Sequence, residues 1–278
     1  MIRTILIVAA VAILTMALLP FHLIGLAFNL PLQRIVPHLY HRAICRLIGV
    51  RIHRVGAPTR DRPALILSNH TSWLDICVIT AAMPVVFVAK SEVETWPVIG
   101  WLARLQRTVF VERERRRRTG EQTRAIGDRL LNGDAVVLFA EGTSGDGMRV
   151  LPFRSALVGA VHHALGASSH HDAITVQPLS VAYTGLNGVP TGRALRERVA
   201  WFGDADLMPH LMGVLSAGAI DVVVSFGEPV AYGIESDRKQ IARVAEDAVR
   251  RLTAEARRRP PVTQPQGSGA GIEVPSVA

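Results

Sequence analysis

Residues 63–82 read PALILSNHTSWLDICVITAA. The opening run, Pro63–Ser68, is short, apolar and free of charge, the pattern of a buried strand. Ser72–Ala82 is long enough and apolar enough for a helix. A strand that runs directly into a helix is the repeating unit of an α/β sheet, and the turn between them is where such sheets build their sites.

The same alternation continues downstream. Strands are predicted at Val85–Ala89, Thr108–Glu112, Ala135–Ala140, Thr175–Ala182 and Asp221–Phe226. Helices are predicted at Thr119–Leu131, Arg154–Leu165, Leu207–Leu215 and Ser236–Arg257. The expected fold is α/β, a mixed sheet flanked by helices, with an N-terminal membrane-associated helical segment. There is no internal repeat.

Upstream, Ile5–Phe28 is almost entirely apolar, and Arg3 is the only charge before it. Its length suits the ~20 residues that a helix needs to cross a bilayer core. Pro20 leaves a second possibility open, a bend that returns the chain to the interface as a helical hairpin. Leu30–Val50 follows on a helical period. Leu32, Ile35, Val36, Leu39, Ile44, Leu47 and Ile48 form an apolar set, and Arg34, His38, His41, Arg42 and Arg46 a polar one. Such a basic amphipathic helix is suited to lying on an anionic leaflet, or else it packs on the globular domain. Lys and Arg follow the apolar segment far more densely than they precede it, which puts the bulk of the chain on the cytoplasmic face, in a bacterium that of the cell inner membrane.

Composition agrees with lipid as a partner. The 278 residues are 49% hydrophobic with a mean hydropathy of +0.27, high for a soluble domain. A net charge of +8 calls for anionic partners. Aromatic residues make up only 5% and are not interleaved with basic ones, so nucleic acid is not expected. Cys45 and Cys77 sit in apolar stretches and read as small buried side chains, not as a disulfide.

The chemistry begins at Ser68-Asn69-His70-Thr71-Ser72-Trp73-Leu74-Asp75. On one continuous helix a five-residue step turns about 140°, so His70 and Asp75 would not share a face. They meet if His70 lies in the loop and Asp75 in the first helical turn, with Thr71 or Ser72 as the cap. A carboxylate on one imidazole nitrogen fixes the tautomer and steadies the imidazolium that forms when the other nitrogen takes a proton. No G-x-S-x-G elbow is present and neither cysteine has suitable neighbours, so the hydroxyl to be activated comes from a substrate.

Three further pieces follow in order. Arg107-Thr108-Val109-Phe110-Val111-Glu112-Arg113 is an apolar strand ending in a cation. Phe139-Ala140-Glu141-Gly142-Thr143 ends a strand with an acid and a glycine. Ile174-Thr175-Val176-Gln177-Pro178-Leu179 places a proline inside an apolar strand. With the His70 motif, and with Lys90, Glu92, Pro97 and Gly100 between, this order resembles the lysophosphatidic acid acyltransferase (PlsC-type) family, marked by N-H-x-x-x-x-D, an arginine-ended strand, F-P-E-G-T and a proline-bearing strand. The resemblance spans Leu65 to Tyr183.

That resemblance implies an O-acyltransferase. His70 is then the base that deprotonates an acceptor hydroxyl, and Asp75 orients it. Asn69, Arg113, Glu141, Gly142 and Thr143 fall to substrate binding, and Pro178 to the apolar wall beside it. Glu141 has an alternative as a loop cap. The donor is an acyl thioester of an acyl carrier protein or of CoA, a substrate and not a cofactor; the acceptor is a lysolipid of the membrane. No resident cofactor or metal is implied.

Two departures bear on the acceptor. The family commonly has an arginine after F-P-E-G-T, where this chain has Ser144, and Ala140 replaces the proline. Arg107 stands where a glycine is common, and its charge either returns to the pocket or faces solvent. Ala200–Asp204, Leu207–His210 and Asp146–Arg149 resemble a bacterial subgroup that includes lyso-ornithine lipid acyltransferases. The headgroup therefore stays open between 1-acylglycerol-3-phosphate and lyso-ornithine lipid.

His162-His163 and His170-His171-Asp172 lack metal-ligand spacing and read as solvated groups. Glu112–Arg118 is a charge run, either a solvated helix start or a contact for anionic lipid or an acyl carrier. The expected organisation is 1–50 membrane and amphipathic helices, 51–258 the acyltransferase domain, and 259–278 a disordered tail rich in Pro, Gly, Ser and Gln.

Overall fold

The computed structural model describes residues 2–111, 119–156, 158–159, 173–233 and 236–260. Two helices lead: α1 (Ile2–Ala27) and α2 (Leu32–Ile48). Then come β1 (Val50–Val55), β2 (Ala64–Ser68), α3 (Leu74–Ala82), β3 (Val86–Lys90), a 3₁₀ turn (Ser91–Thr95), α4 (Ile99–Leu105) and β4 (Val109–Val111). α5 (Thr119–Leu131), β5 (Ala135–Phe139), β6 (Ala173–Leu186), β7 (Val189–Pro190) and α6 (Arg193–Glu197) follow. The chain closes with α7 (Leu207–Ala217), β8 (Ile220–Phe226), β9 (Val230–Gly233) and α8 (Arg238–Arg258).

The strands form one mixed sheet in the order β1-β8-β6-β2-β5-β3-β4, with β7 and β9 on β6. β2 runs parallel to both β5 and β6, and β3 parallel to β5 and β4. β8 is antiparallel to β6. Central parallel strands are covered on both faces and so need apolar side chains at every position, which ALILS in β2 and AVVLF in β5 supply. Their alternate residues feed two cores. Ala64, Ile66, Ala135 and Val137 face α3, while Leu65, Leu67, Val136 and Leu138 face the side covered by α5 and α8. Leu74, Val78 and Ile79 of α3 are fully buried, each contributing roughly 1.5–3 kcal/mol.

The mixed sheet flanked by helices matches the expected class, and every strand predicted from periodicity is present. Edge elements were less legible. β1, α4, α6, β7 and β9 were not anticipated. Of the helix predicted over Arg154–Leu165, Arg154 itself is not helical, residues 155–156 and 158–159 are, and 157 and 160–165 lie outside the described residues.

The N-terminal helices correct two expectations. α1 continues through Pro20, and the chain reverses after Ala27, not at the proline. Asn29 takes a positive φ of 50° there, and a Cβ on Gly25 would lie 2.6 Å from the Gln33 nitrogen, so the close approach of α2 to α1 requires glycine. α1 is long and apolar enough to cross a membrane, and only 11% of its most apolar window is buried. In α2, part of the polar set turns inward. His41 is buried, His38 Nδ1 bonds the Thr80 carbonyl at 2.7 Å, and Arg34 pairs with Asp134 at 2.8 Å, while Ile35 and Leu39 are exposed. α2 thus packs on the domain through members of both sets, His41 beside buried Val36, Cys45 and Ile48, and presents Ile35, Leu39 and Leu47 outward beside the exposed apolar flank of α1.

Arg107 is the other correction. It neither enters a ligand pocket nor faces solvent. It is buried, its guanidinium pairs with buried Asp134, and Nη1 donates to Gln33 Oε1 at 2.6 Å. Its φ of 62° explains why a glycine is common at this position. Through Asp134, Arg107 and Arg34 fasten α2 to the sheet.

Candidate active site

β2, β5 and β3 are parallel neighbours, so their carboxyl ends meet at one edge of the sheet. His70 follows β2, Glu141–Ser144 follow β5, and Lys90 closes β3. The edge thus collects the first and third motifs from segments about 70 residues apart.

His70 and Asp75 come together as the loop-to-helix reading requires. His70 Nδ1 lies 2.9 Å from Asp75 Oδ2. Ser72 caps the helix only loosely, its Oγ accepting the Leu74 N–H at 3.4 Å. Asp75 reaches back more firmly, and the same Oδ2 accepts the backbone N–H groups of Thr71 at 2.7 Å and Ser72 at 2.9 Å. Its other oxygen accepts Tyr183 Oη at 2.7 Å. A fully buried carboxylate with four donors is held in one orientation. Because Asp75 only accepts, Nδ1 carries the proton and Nε2 presents a lone pair. Nε2 has no hydrogen-bond partner among the described residues.

The imidazole stacks on Phe139, ring centroids 3.9 Å apart and 17° from parallel. The backbone of His70 is gripped from both sides, its N–H donating to Glu141 Oε2 at 3.2 Å and its carbonyl accepting the Gly145 N–H at 2.9 Å. The next carbonyl, Thr71, accepts the Trp201 N–H at 2.8 Å.

The residues expected to bind substrate divide. Gly142 and Thr143 line the cavity described below. Gly142 has a φ of 75°, and a Cβ there would lie 2.9 Å from the Arg154 side chain. Glu141 does not line the cavity. Its two oxygens accept from His70 and from the Leu151 N–H at 2.9 Å, so it braces two loops, the capping alternative. Burial pushes its carboxyl up to about 8, against the pull of those two backbone bonds. Asn69 is also spent internally: its amide donates to the Val181 carbonyl and accepts the Val181 N–H, both at 2.9 Å, tying the His70 loop to β6. Pro178 is buried in β6 opposite Leu67 and lies away from the cavity wall. Arg113, the rest of the Glu112–Arg118 run and the histidine pairs lie outside the described residues.

Above His70 opens a cavity of about 880 Å³, within the ~300–1,000 Å³ usual for ligand sites. Its walls are largely apolar and come from α1 (Val11, Leu18), α2 (Ile44, Ile48) and α3 (Ile76, Cys77). Burial pushes the Cys77 thiol up to about 12, so it stays protonated and counts as apolar lining. Trp96 and Trp201 meet edge-to-face at 5.9 Å at the same cavity. An imidazole with a free nitrogen at an apolar cavity, steadied by a carboxylate, can take a proton from a hydroxyl delivered on a lipid chain.

Tyr183 and Phe139 were not singled out from sequence. A signal existed for Tyr183: it stands two residues after Val181, hence on the same face of β6, and a buried phenol needs a partner.

An acyltransferase family model matches residues 49–182. A lyso-ornithine lipid O-acyltransferase of Brucella abortus (strain 2308) is 51% identical over 92% of this chain and 95% of its own length. Another, of Rhizobium meliloti (strain 1021), is 44% identical over 87% of this chain and 82% of its own. A 1-acyl-sn-glycerol-3-phosphate acyltransferase of Neisseria gonorrhoeae is 31% identical over 75% of this chain and 76% of its own. The fold matches the crystal structure of the 1-acyl-sn-glycerophosphate acyltransferase PlsC from Thermotoga maritima, with a TM-score of 0.62, 20% identity and coverage of 91% and 96% of the two chains.

Proposed function

Since the chain belongs to the acyltransferase family, we propose that it moves a fatty acyl group from an acyl carrier protein or CoA thioester to the hydroxyl of a lysolipid, lyso-ornithine lipid first among the candidates, at the cytoplasmic face of the inner membrane. The observation that carries this reading is the His70–Asp75 pair opening with a free Nε2 on an apolar cavity.

The acceptor hydroxyl gives its proton to His70 Nε2 as its oxygen attacks the thioester carbonyl carbon. The new C–O bond makes a tetrahedral intermediate. That intermediate expels the thiolate, and the imidazolium returns the proton to sulfur, leaving an ester and a free thiol. Asp75 does not take the proton; it holds Nδ1–H and compensates the transient positive charge. The apolar walls hold acyl chains and exclude the water that would divert the thioester to free acid. The apolar outer flank of α1 and α2 suits attachment to a membrane, where a lysolipid enters without crossing water. Acceptor preference for lyso-ornithine lipid draws support from the names of the 51% and 44% identical relatives and from Ser144 in place of a phosphate-binding arginine.

The test supplies purified protein in lipid vesicles with labelled acyl thioesters and a panel of lysolipids. Acylated ornithine lipid is expected, and its rate falls about 10²–10⁴-fold in His70→Ala. Free fatty acid as the sole product, or a rate untouched by His70→Ala, overturns the reading.

A further inference from the structure

We propose that the cleft between the loop after β5 and α8 is a phosphate site for the acyl donor, in which Arg149, Arg250 and Arg257 hold the phosphate of a pantetheine thioester whose acyl chain lies in the cavity at His70. The proposal rests on the acyltransferase reading and locates the donor's head.

The cleft measures about 460 Å³, with residues 149–152 on one side and α8 on the other. Arg250 and Arg257 are seven residues apart, two helical turns, and so share a face of α8. Arg257 is the anchor. Its Nη1 and Nη2 donate to the carbonyls of Met148 at 2.8 Å and Gly147 at 2.5 Å, which fixes the guanidinium against the loop. No carboxylate pairs with it among the described residues, and its Nε is buried without a hydrogen-bond partner. Burial and then the nearby Arg196 pull its pKa down to about 10 against the attraction of Asp146, so it stays charged at neutral pH.

Arg149 is exposed and has no hydrogen bond or ion pair among the described residues. Arg250 pairs with Glu246 at 2.6 Å, and the other oxygen of Glu246 accepts the Phe153 N–H at 2.8 Å. Three cations thus share one paired acid, itself partly spent on the backbone. That excess of positive charge calls for an anion, and guanidinium forks match phosphate oxygens.

Two observations make the donor, not the lysolipid, the source of that phosphate. The cleft lies on the sheet face covered by α5 and α8, opposite the face that carries α1, α2 and α3. A lysolipid held in the leaflet meets the far face, and a water-borne thioester meets this one. The loop after β5 also joins the two sites, since Gly142–Ser144 line the His70 cavity and Arg149–Pro152 the cleft. The Gly145 N–H bonds the His70 carbonyl, and Arg149 follows four residues on, at most about 14 Å away by chain length. A pantetheine arm, about 13 bonds from phosphorus to sulfur, extends to roughly 15 Å at the same length per bond, so a phosphate in the cleft lets the thioester reach His70.

The experiment uses the full-length protein in vesicles, lyso-ornithine lipid and 1-acylglycerol-3-phosphate as acceptors, and three donors with the same acyl chain: the acyl carrier protein thioester, acyl-CoA, and acyl-pantetheine, which lacks phosphate. Wild type is expected to favour at least one phosphorylated donor over acyl-pantetheine by about tenfold or more in kcat/KM. Arg149→Ala and Arg250→Ala each cut that preference by about tenfold through the donor KM, with the acceptor KM unchanged, and Arg149→Lys restores part of it. Each preference is taken within one protein preparation, so partial misfolding does not imitate it. A fall for both phosphorylated donors assigns the site to their shared phosphate, and a fall for one names the donor it serves. Preferences at the wild-type value in both alanine variants, a wild type that uses acyl-pantetheine as well as either phosphorylated donor, or a change confined to the acceptor KM overturns the phosphate site and leaves the acyltransferase reading standing. Failure of wild type to transfer from any donor to either acceptor strikes the acyltransferase reading itself and the phosphate site with it.

Discussion

Tyr183 Oη donates to Asp75 Oδ1 at 2.7 Å, the carboxylate oxygen that His70 leaves free. The phenol comes from β6 and the pair from the β2–α3 turn, so this bond joins the catalytic loop to a neighbouring strand. Burial, with the Asp75 carboxylate close by, holds the phenol well above its ordinary titration range, and it donates at every working pH.

Tyr183→Phe removes that donor and leaves Oδ1 buried without a partner. The expected cost is about 1–3 kcal/mol of stability, seen as a lowered melting temperature in detergent. The pair keeps its three remaining bonds, so kcat falls less than in His70→Ala. A kcat loss equal to that of His70→Ala would mean that the phenol touches substrate and is no mere brace.

Asp75→Asn preserves shape and inverts the chemistry. All four groups that face Asp75 are donors, and an amide offers one accepting oxygen only. The imidazole then loses its fixed tautomer, and kcat is expected to drop by about 10⁴-fold, as in other His–Asp pairs with this change. Steady-state rates with saturating thioester measure it. A loss under tenfold would show that Asp75 serves the loop alone.

The strands around this pair were legible because fully buried parallel strands leave near-continuous apolar runs, as in Leu65–Leu67 and Val136–Leu138. The His70–Asp75 approach was legible because a five-residue step needs the loop-to-helix break that Asn69–Trp73 provides. Glu141 and Asn69 were not. Motif matching marks a residue without saying whether it faces ligand or its own backbone, and both spend their polar atoms internally. Arg107 was missed for a related reason: its partner Asp134 lies 27 positions on, and nothing local in either stretch foretells the ion pair.

Arg107→Met tests whether that ion pair seats the N-terminal helices. Asp134 is buried, and losing one of its two arginines leaves a charge only partly compensated, a change that costs roughly 3–5 kcal/mol when a buried pair is broken outright. Arg34 remains, so the lower end is expected. Faster hydrogen exchange should appear first in α2, near Gln33 and Arg34. Exchange that rises uniformly across the sheet would place the effect elsewhere.

Glu141 gives the chain a pH signature. Its ordinary carboxyl value is 4.5, and burial in the folded protein moves it to about 8. Below 4.5 both folded and unfolded states hold the proton and nothing changes with pH. Between the two values the unfolded state ionises and the folded state does not, so stability falls as pH rises, by up to about 1.4 kcal/mol per pH unit. Above 8 the loss is complete. Glu141→Gln removes this titration. It also offers only one accepting oxygen to the N–H groups of His70 and Leu151, a deficit of about 1–2 kcal/mol at every pH. The variant should therefore be less stable than wild type at pH 5 and lose less on going to pH 8, so that the two melting curves converge or cross. Parallel curves over that range would mean that Glu141 is ionised in the folded protein, with the two backbone donors outweighing burial.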